Sequence, residues 1–127
     1  MEQILAFGLN QAEEAALKEL LAILPVKITA ISDASFTENL ETLVQDPSLF
    51  KTDSASSSPE KLLLFCELTE KHFNTALSRL KSAHFPADYK AVLTPTNRKW
   101  NVSRLYAEMS AEKRAIEASF INFSKTS

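Results

Sequence analysis

The sequence predicts an α/β fold: a three-layer sandwich in which helices cover both faces of one four-stranded parallel sheet. Short apolar runs alternate strictly with amphipathic helical segments, an order typical of parallel strands joined by helices. One of these runs, residues 62–66, is apolar throughout, as expected for a strand that is buried on both faces. The chain has 127 residues, and we expect residues 1–127 to form a single domain.

The first strand is predicted at Ile4–Phe7, a brief apolar run that ends at Gly8. A helix follows over about residues 11–24, where leucines and alanines recur at helical spacing. Asn10 is expected to cap its first turn, because Glu13 occupies the capping-box position three residues later. The first half therefore begins with a strand that leads directly into a capped helix.

Pro25 ends that helix, because proline disfavours helical backbone in the residue before it. Residues 26–31 largely alternate in polarity and predict a second strand, at an edge of the sheet. Thr37 is expected to cap the short helix that follows. The serine- and proline-containing stretch 46–60 then predicts a flexible loop, because it offers little apolar surface to bury.

The second half repeats this order of elements. Its strand at Lys61–Cys66 is the most apolar segment of the chain and predicts a central strand. Thr69 is placed to cap the helix that follows. A fourth strand is predicted at Tyr89–Thr94. The last helix begins near Asn101 and continues as a C-terminal helical extension over residues 111–127.

Two similar βαβα halves, about residues 1–45 and 61–110, predict an internal repeat. Right-handed crossovers, with the most apolar strands at the centre, then give the strand order 2-1-3-4. In this arrangement the first and last helices cover one face, and a pseudo-twofold axis runs along the strands. Gly8 and Cys66 would then border the same crevice. The alternative is a ferredoxin-like α+β arrangement with an antiparallel sheet.

The composition excludes several classes of protein. With a single glycine, the chain lacks the glycine-rich loops that cradle phosphates in known nucleotide-binding motifs. Its single cysteine excludes an intramolecular disulfide and a thiolate metal cluster, and no metal site is predicted. A net charge of −2 speaks against nucleic acid as a partner. The sequence contains neither a signal peptide nor a membrane-spanning run, so we expect a cytoplasmic protein with no membrane partner and no cofactor.

Polar side chains cluster in the turn after the fourth strand, namely Thr94, Thr96, Asn97, Arg98 and Trp100. Open parallel sheets bind ligands at the carboxyl ends of their strands. Hydroxyls, an amide, a cation and an indole beside the start of the last helix form a set that can grip a phosphate or a carboxylate. In the structural alternative, Thr96 and Asn97 hold a tight turn while Trp100 fills the space between helix and sheet.

A second candidate ligand site lies where the strand order reverses, between Gly8–Asn10 and Cys66–Thr69. The small residue Gly8 would leave room for a ligand there or allow a tight turn into the helix. Cys66 precedes a helix start, which favours a thiolate. Glu67 opposes ionisation of this thiol, and a cysteine in an apolar strand is usually buried packing, so catalysis by Cys66 is disfavoured.

The last helix carries an apolar stripe that includes Met109, Ile116 and Phe120. The stripe continues beyond what one small sheet can cover. An uncovered stripe of this kind is typical of a homodimer or of a partner-binding surface. The alternative is that the helix folds back on its own domain or frays at its end.

The run Lys90–Trp100, which reads Lys-Ala-Val-Leu-Thr-Pro-Thr-Asn-Arg-Lys-Trp, is distinctive. Together with the apolar segment Leu62–Phe65 and the helix between them, it resembles an uncharacterised family, domain of unknown function 3783. The resemblance covers about residues 61–110. It implies a bacterial source and a small α/β domain, and it brings no established activity.

No acid–base pair, catalytic triad or metal set can be assembled from these residues. The sequence therefore favours a non-enzymatic module for protein interaction or regulation, with an unidentified protein partner. The alternative is a small-anion or nucleotide binder at the C-terminal edge of the sheet.

Overall fold

The computed structural model describes residues 2–31, 37–47 and 60–126, with side chains up to Arg114. The elements are, in chain order, β1 (Gln3–Phe7), α1 (Gln11–Leu20), β2 (Lys27–Ile31), α2 (Leu40–Gln45), β3 (Leu62–Cys66), α3 (Glu70–Ser82), β4 (Tyr89–Val92), a 3-10 turn (Asn97–Lys99) and α4 (Val102–Thr126). The order strand–helix–strand–helix thus occurs twice along the chain.

The four strands form one sheet in the predicted order β2-β1-β3-β4, but the sheet is mixed and not parallel. β1 pairs with β2, and β3 with β4, in parallel. The central strands β1 and β3 run antiparallel, with Gln3 opposite Cys66 and Phe7 opposite Leu62. The prediction of a wholly parallel sheet is wrong, because an apolar run shows only that both faces are covered, whatever the strand direction. The antiparallel, ferredoxin-like alternative is wrong as well.

The antiparallel centre separates the carboxyl ends of the strands. Those of β1 and β2 form one end of the sheet, the Gly8 end, and those of β3 and β4 form the other, the Cys66 end. A twofold axis that relates the two halves would therefore run perpendicular to the sheet, and the predicted axis along the strands is wrong. No single edge of this sheet collects all four carboxyl ends.

Alternate strand residues point into two separate apolar cores, one on each face of the sheet. One core contains side chains from α1 and α3, such as Leu17 and Leu80. The other contains side chains from α2 and α4, such as Leu43 and Leu105. The predicted pairing of the first helix with the last is wrong, because a perpendicular axis keeps equivalent helices on the same face. Each fully buried leucine stabilises the fold by about 1.5–3 kcal/mol relative to an exposed one.

The predicted capping box forms at the start of α1. Glu13 N donates to Asn10 Oδ1 at 2.8 Å, and Asn10 N donates to Glu13 Oε1 at 3.0 Å. The helix ends at Leu20, earlier than predicted. The Arg79 side chain on α3 donates from Nε to the Leu20 carbonyl at 2.7 Å. A side chain from another helix thus bonds to the free carbonyl at the end of α1. Helical spacing alone could not predict this contact.

The start of α2 is also set by a distant part of the chain. Thr37 does not cap this helix, which begins at Leu40 after Asn39. Leu40 N donates to the carbonyl of Trp100 at 2.8 Å. The backbone that follows β4 therefore supplies the acceptor that a capping side chain would provide.

Several predictions fall outside the described residues. They are the loop over residues 46–60, for nearly all of its length, and the side chains of Ile116 and Phe120. Among the helices that the structure describes, none combines the length and the apolar character needed to cross a membrane.

Candidate functional site

The structure does not bring the two halves of the predicted crevice together. Gly8 and Asn10 follow β1 at the Gly8 end, whereas Cys66 and Thr69 lie at the opposite end of the sheet. Five strand residues, about 16 Å, separate the two ends. A ligand site between Gly8–Asn10 and Cys66–Thr69 is therefore wrong. The parallel register that would have joined them does not form.

Gly8 allows a close backbone approach and leaves no space for a ligand. Its φ is +81°, in the left-handed region. A Cβ at this position would collide with the carbonyl oxygen of Glu60 and would lie 3.4 Å from Lys61 Cα. The same Glu60 carbonyl accepts a hydrogen bond from the Tyr106 hydroxyl at 3.1 Å. The lone glycine thus lets β1 turn directly against the chain that enters β3.

Cys66 is a buried packing residue at the other end. Its side chain is fully buried in the core shared with α2 and α4, and Sγ lies 3.7 Å from the Leu64 carbonyl. Burial, with a smaller effect from the nearby Glu67 carboxylate, raises the pKa of the Cys66 thiol to about 12. At neutral pH the side chain is therefore the thiol and not the nucleophilic thiolate.

Asn97 holds the turn after β4 together. Its Oδ1 accepts from Thr94 N at 2.8 Å, and its Nδ2 donates to the Val92 carbonyl at 2.9 Å. Its own N–H donates to Thr94 Oγ1 at 3.0 Å. Asn97 is almost completely buried. These bonds match the tight-turn alternative, with Thr94 in the role expected of Thr96, which is exposed on the surface of the turn.

Trp100 joins the turn to two helices. The backbone N–H of Trp100 donates to the Asn97 carbonyl at 2.9 Å, and the backbone carbonyl of Trp100 accepts from Leu40 N on α2. On α4, the Arg104 guanidinium lies 4.7 Å from the centre of the Trp100 ring, a cation–π contact. Trp100 is half-buried against the core shared with α2 and α4, so it fills space between helix and sheet as the structural alternative expects.

Two clefts flank the edge strand β4. The α3-side cleft, of about 450 Å³, is lined by Phe65, Glu67, Leu68, Glu70, Phe73, Val92, Leu93 and Arg98. The α4-side cleft, of about 380 Å³, includes Thr94, Asn97, Trp100, Glu108 and Met109. Val92 lines both clefts and is 47% exposed. The predicted turn residues are thus divided: Arg98 lines one cleft, and Thr94, Asn97 and Trp100 line the other.

Arg98 is a predicted site residue whose side chain has an unused hydrogen-bond donor. Its Nε is buried and has no hydrogen-bond partner among the residues that the structure describes. The apolar residues around it, Leu68, Phe73 and Val92, were not predicted as site residues. Phe73 fits the apolar spacing of a helix and Val92 that of a strand, while Leu68 lies in the connection before α3. Sequence spacing therefore carries no signal for their shared cleft.

A carboxylate that the sequence did not single out connects the start of the chain to α3. Thr69 caps α3 as predicted, accepting from His72 N at 3.2 Å. Glu2 accepts from Thr69 N at 3.0 Å and lies 2.7 Å from His72 Nδ1. The hydrogen bond with His72, then that from Thr69 N–H, lowers the pKa of Glu2 below its ordinary 4.5. Glu2 therefore ties the chain before β1 to the first turn of α3.

Replacing Glu2 by glutamine is expected to lower stability more at pH 7 than at pH 3. The Glu2 pKa is lower in the folded than in the unfolded chain. Its contribution is therefore present above pH 4.5 and is lost as the pH falls through the folded-state value. Urea unfolding of both chains at the two pH values measures this difference. The exposed Glu19→Gln is the charge-matched control, and an equal loss at both pH values would contradict the assignment.

The fold and these sites define a small mixed α/β domain whose edge strand lies between two clefts. Residues 61–116 match the family model described as Domain of unknown function (DUF3783), which confirms the predicted resemblance. The match includes β3, α3, β4, the turn and the first part of α4, and it excludes Gly8 and Asn10. Comparisons with curated proteins and with solved structures found no match. Within the described residues, no group of three or more His, Cys, Asp or Glu side chains is placed to hold a metal ion.

Proposed function

We propose that this protein is a non-enzymatic interaction module that self-associates through α4. The observation that carries this proposal is the length of α4 relative to the sheet. The helix has 25 residues, about 37 Å, whereas the strands have four or five residues, about 16 Å. A helix more than twice as long as the sheet it covers extends well beyond its own domain.

The contacts along α4 show how far the sheet reaches. Val102 and Leu105 are buried against the core at the start of the helix, and Met109 packs against it two turns later. Lys113 Nζ lies 5.6 Å from the centre of the Tyr89 ring, at the Gly8 end of the sheet. The helix has thus crossed the sheet by Lys113. Its backbone continues to Thr126, about 20 Å further.

The proposed occupant of this extension is a second copy of the chain. Met109 packs against the domain's own core, and Ile116 and Phe120, seven and eleven residues later, continue the same helical face beyond the sheet. Two such stripes related by a twofold axis cover each other, and twofold dimers are the commonest closed assembly. The side chains of Ile116 and Phe120 lie outside the described residues, so their part in the interface rests on this spacing.

A role in protein interaction also agrees with the structural use of two residues that the sequence predicted for a ligand site. The Cys66 thiol is buried and protonated, and the Asn97 amide is engaged in the turn. Both therefore contribute to the scaffold of the domain. A free buried thiol suits the reducing cytoplasm that we propose as its compartment.

Sedimentation velocity of the purified chain tests self-association. We expect a concentration-dependent dimer, and Phe120→Glu should convert it to a monomer because a charge at an apolar interface remains unpaired. Ser119→Glu introduces the same charge one residue away and should leave the dimer intact. A chain that sediments as a monomer throughout the micromolar range, or a dimer unaffected by Phe120→Glu, would refute the proposal.

We also infer that the two βαβα halves form a three-layer structure that arose from a repeat. Each half contains one pair of parallel strands and one capped helix. The capped helices, α1 and α3, pack on the same face of the sheet. The caps are at equivalent positions, Asn10 after β1 and Thr69 after β3.

A second candidate function is the binding of a small anion at the Cys66 end of the sheet. It is favoured by one observation, the buried Arg98 Nε that has no hydrogen-bond partner among the described residues. Thermal shifts with phosphate, acetate and nucleotides test this function. Stabilisation by at least one of these anions that is lost in Arg98→Gln would support it, and no stabilisation by any of them would oppose it.

A further inference from the structure

The α3-side cleft combines one cation with apolar walls. Phe65, Leu68, Phe73 and Val92 surround the space, and the rings of Phe65 and Phe73 meet edge to face with their centres 5.1 Å apart. Its volume of about 450 Å³ lies within the range of small-molecule sites, about 300–1,000 Å³. Apolar walls with few polar groups are the usual composition of such sites.

Arg98 is the polar group that can orient a ligand in this cleft. Its Nε–H is removed from water and donates to no acceptor among the described residues. Burying a donor without an acceptor costs free energy, which the Arg98 side chain would recover by turning to meet a ligand oxygen in the cleft that it lines. The guanidinium group presents donors in a planar fork, and a carboxylate matches that fork with its two oxygens.

The rim of the cleft restricts the charge of the ligand. Glu67 and Glu70 lie beside the same space as Arg98. Two carboxylates disfavour a dianion such as phosphate or a nucleotide more strongly than a monoanion. Glu67 also has φ +61°, a left-handed conformation that is uncommon outside glycine and is often retained at ligand sites.

We propose that the α3-side cleft binds a monocarboxylate with a compact aromatic or branched apolar body. The carboxylate pairs with the Arg98 guanidinium, and the apolar body lies against Phe73, Leu68 and the exposed side of Val92. This assignment rests on the second candidate function, because it names the class of anion that Arg98 takes.

The test is a titration of ¹⁵N-labelled protein with 3-phenylpropionate, followed by NMR. We expect saturable shifts at Phe73, Val92 and the Arg98 Nε–H, and at least a tenfold weaker affinity for Arg98→Gln. The neutral 3-phenylpropanol keeps the apolar body and removes the charge, so it should bind at least tenfold more weakly. Inorganic phosphate should cause no saturable shift at these residues.

A second variant keeps the test decisive if Arg98→Gln impairs folding. Val92→Glu places a negative charge in the mouth of the cleft at an already exposed position, and it should abolish the shifts. Thr96→Glu adds the same charge on the exposed turn, outside the residues that line the cleft, and should bind normally.

The outcomes distinguish this inference from the anion-binding function on which it rests. Saturable phosphate binding at Arg98 without carboxylate binding would overturn the inference and leave an anion-binding function standing. Absence of binding by every anion would overturn both. Equal binding of phenylpropionate and phenylpropanol would assign the cleft to apolar ligands and would also overturn the inference.

Discussion

Replacing Gly8 by alanine is expected to destabilise the domain by about 3 kcal/mol. A left-handed φ costs a residue with a Cβ roughly 1–2 kcal/mol. The added carbon also collides with the Glu60 carbonyl, and overpacking of this kind costs about 1–3 kcal/mol. The collision is with backbone that enters a central strand, so no flexible side chain can move aside. Urea unfolding of the two chains measures the loss.

Gly8→Asn separates the two causes. Asparagine tolerates the left-handed region better than alanine does, but it carries the same Cβ. We therefore expect Gly8→Asn to recover only part of the stability lost in Gly8→Ala. Full recovery would show that the φ angle alone causes the loss and would contradict a role for the collision with Glu60.

Replacing Asn97 by alanine is expected to cost about 3 kcal/mol. The change removes two side-chain hydrogen bonds and leaves the Thr94 N–H and the Val92 carbonyl without their partner. A fully buried group left unsatisfied costs about 1–3 kcal/mol; Thr94 and Val92 are exposed residues, so water recovers part of this cost. Because this turn also presents the Trp100 carbonyl to Leu40, the loss should extend to the contact with α2.

The measurement is again urea unfolding, with Thr96→Ala as the control. Thr96 is exposed on the same turn, so its replacement should change stability by less than about 0.5 kcal/mol. Asn97→Asp should also be destabilising, because a carboxylate can accept from Thr94 N–H but cannot donate to the Val92 carbonyl. An Asn97→Ala chain as stable as the Thr96→Ala control would show that Asn97 is not structural.

Asn97 and its neighbour Arg98 show why a distinctive sequence run is not by itself a binding site. Asn97 and Arg98 are adjacent within the run that carries the family resemblance. The amide of Asn97 bonds within its own turn, whereas Arg98 turns toward a cleft formed with α3. Residue types that suit an anion suit a tight turn equally well, so the division between them required the positions of the neighbouring elements.

Local interactions account for the predictions that the structure confirms. The β1 apolar run, the capping box of α1 and the Thr69 cap of α3 depend on residues a few positions apart. The strand order could also be predicted, because the two most apolar strands occupy the centre of the sheet. The end of α1 and the start of α2 could not be predicted from the sequence. Their free backbone groups bond to Arg79 and Trp100, which lie in distant parts of the chain.

The candidate site shows the same division. Arg98 was predicted, while the roles of Phe73 and Val92 in the cleft were not. The contacts of Glu2 with Thr69 and His72 were not predicted either, because only packing brings these residues together. The predicted crevice between Gly8 and Cys66 failed for a single reason. It depended on the direction of β3, and the apolar character of that strand is the same in either direction.

The sequence by itself determined which segments are strands and helices, how two of the helices begin, and that the central strands are buried on both faces. It did so because propensity, capping and apolar periodicity are local properties of the chain. Only the tertiary structure decided that β3 runs against β1, which places the lone glycine against Glu60 and the lone cysteine at the far end of the sheet. Strand direction follows from how a long connection closes, and closure depends on the packing of the whole domain.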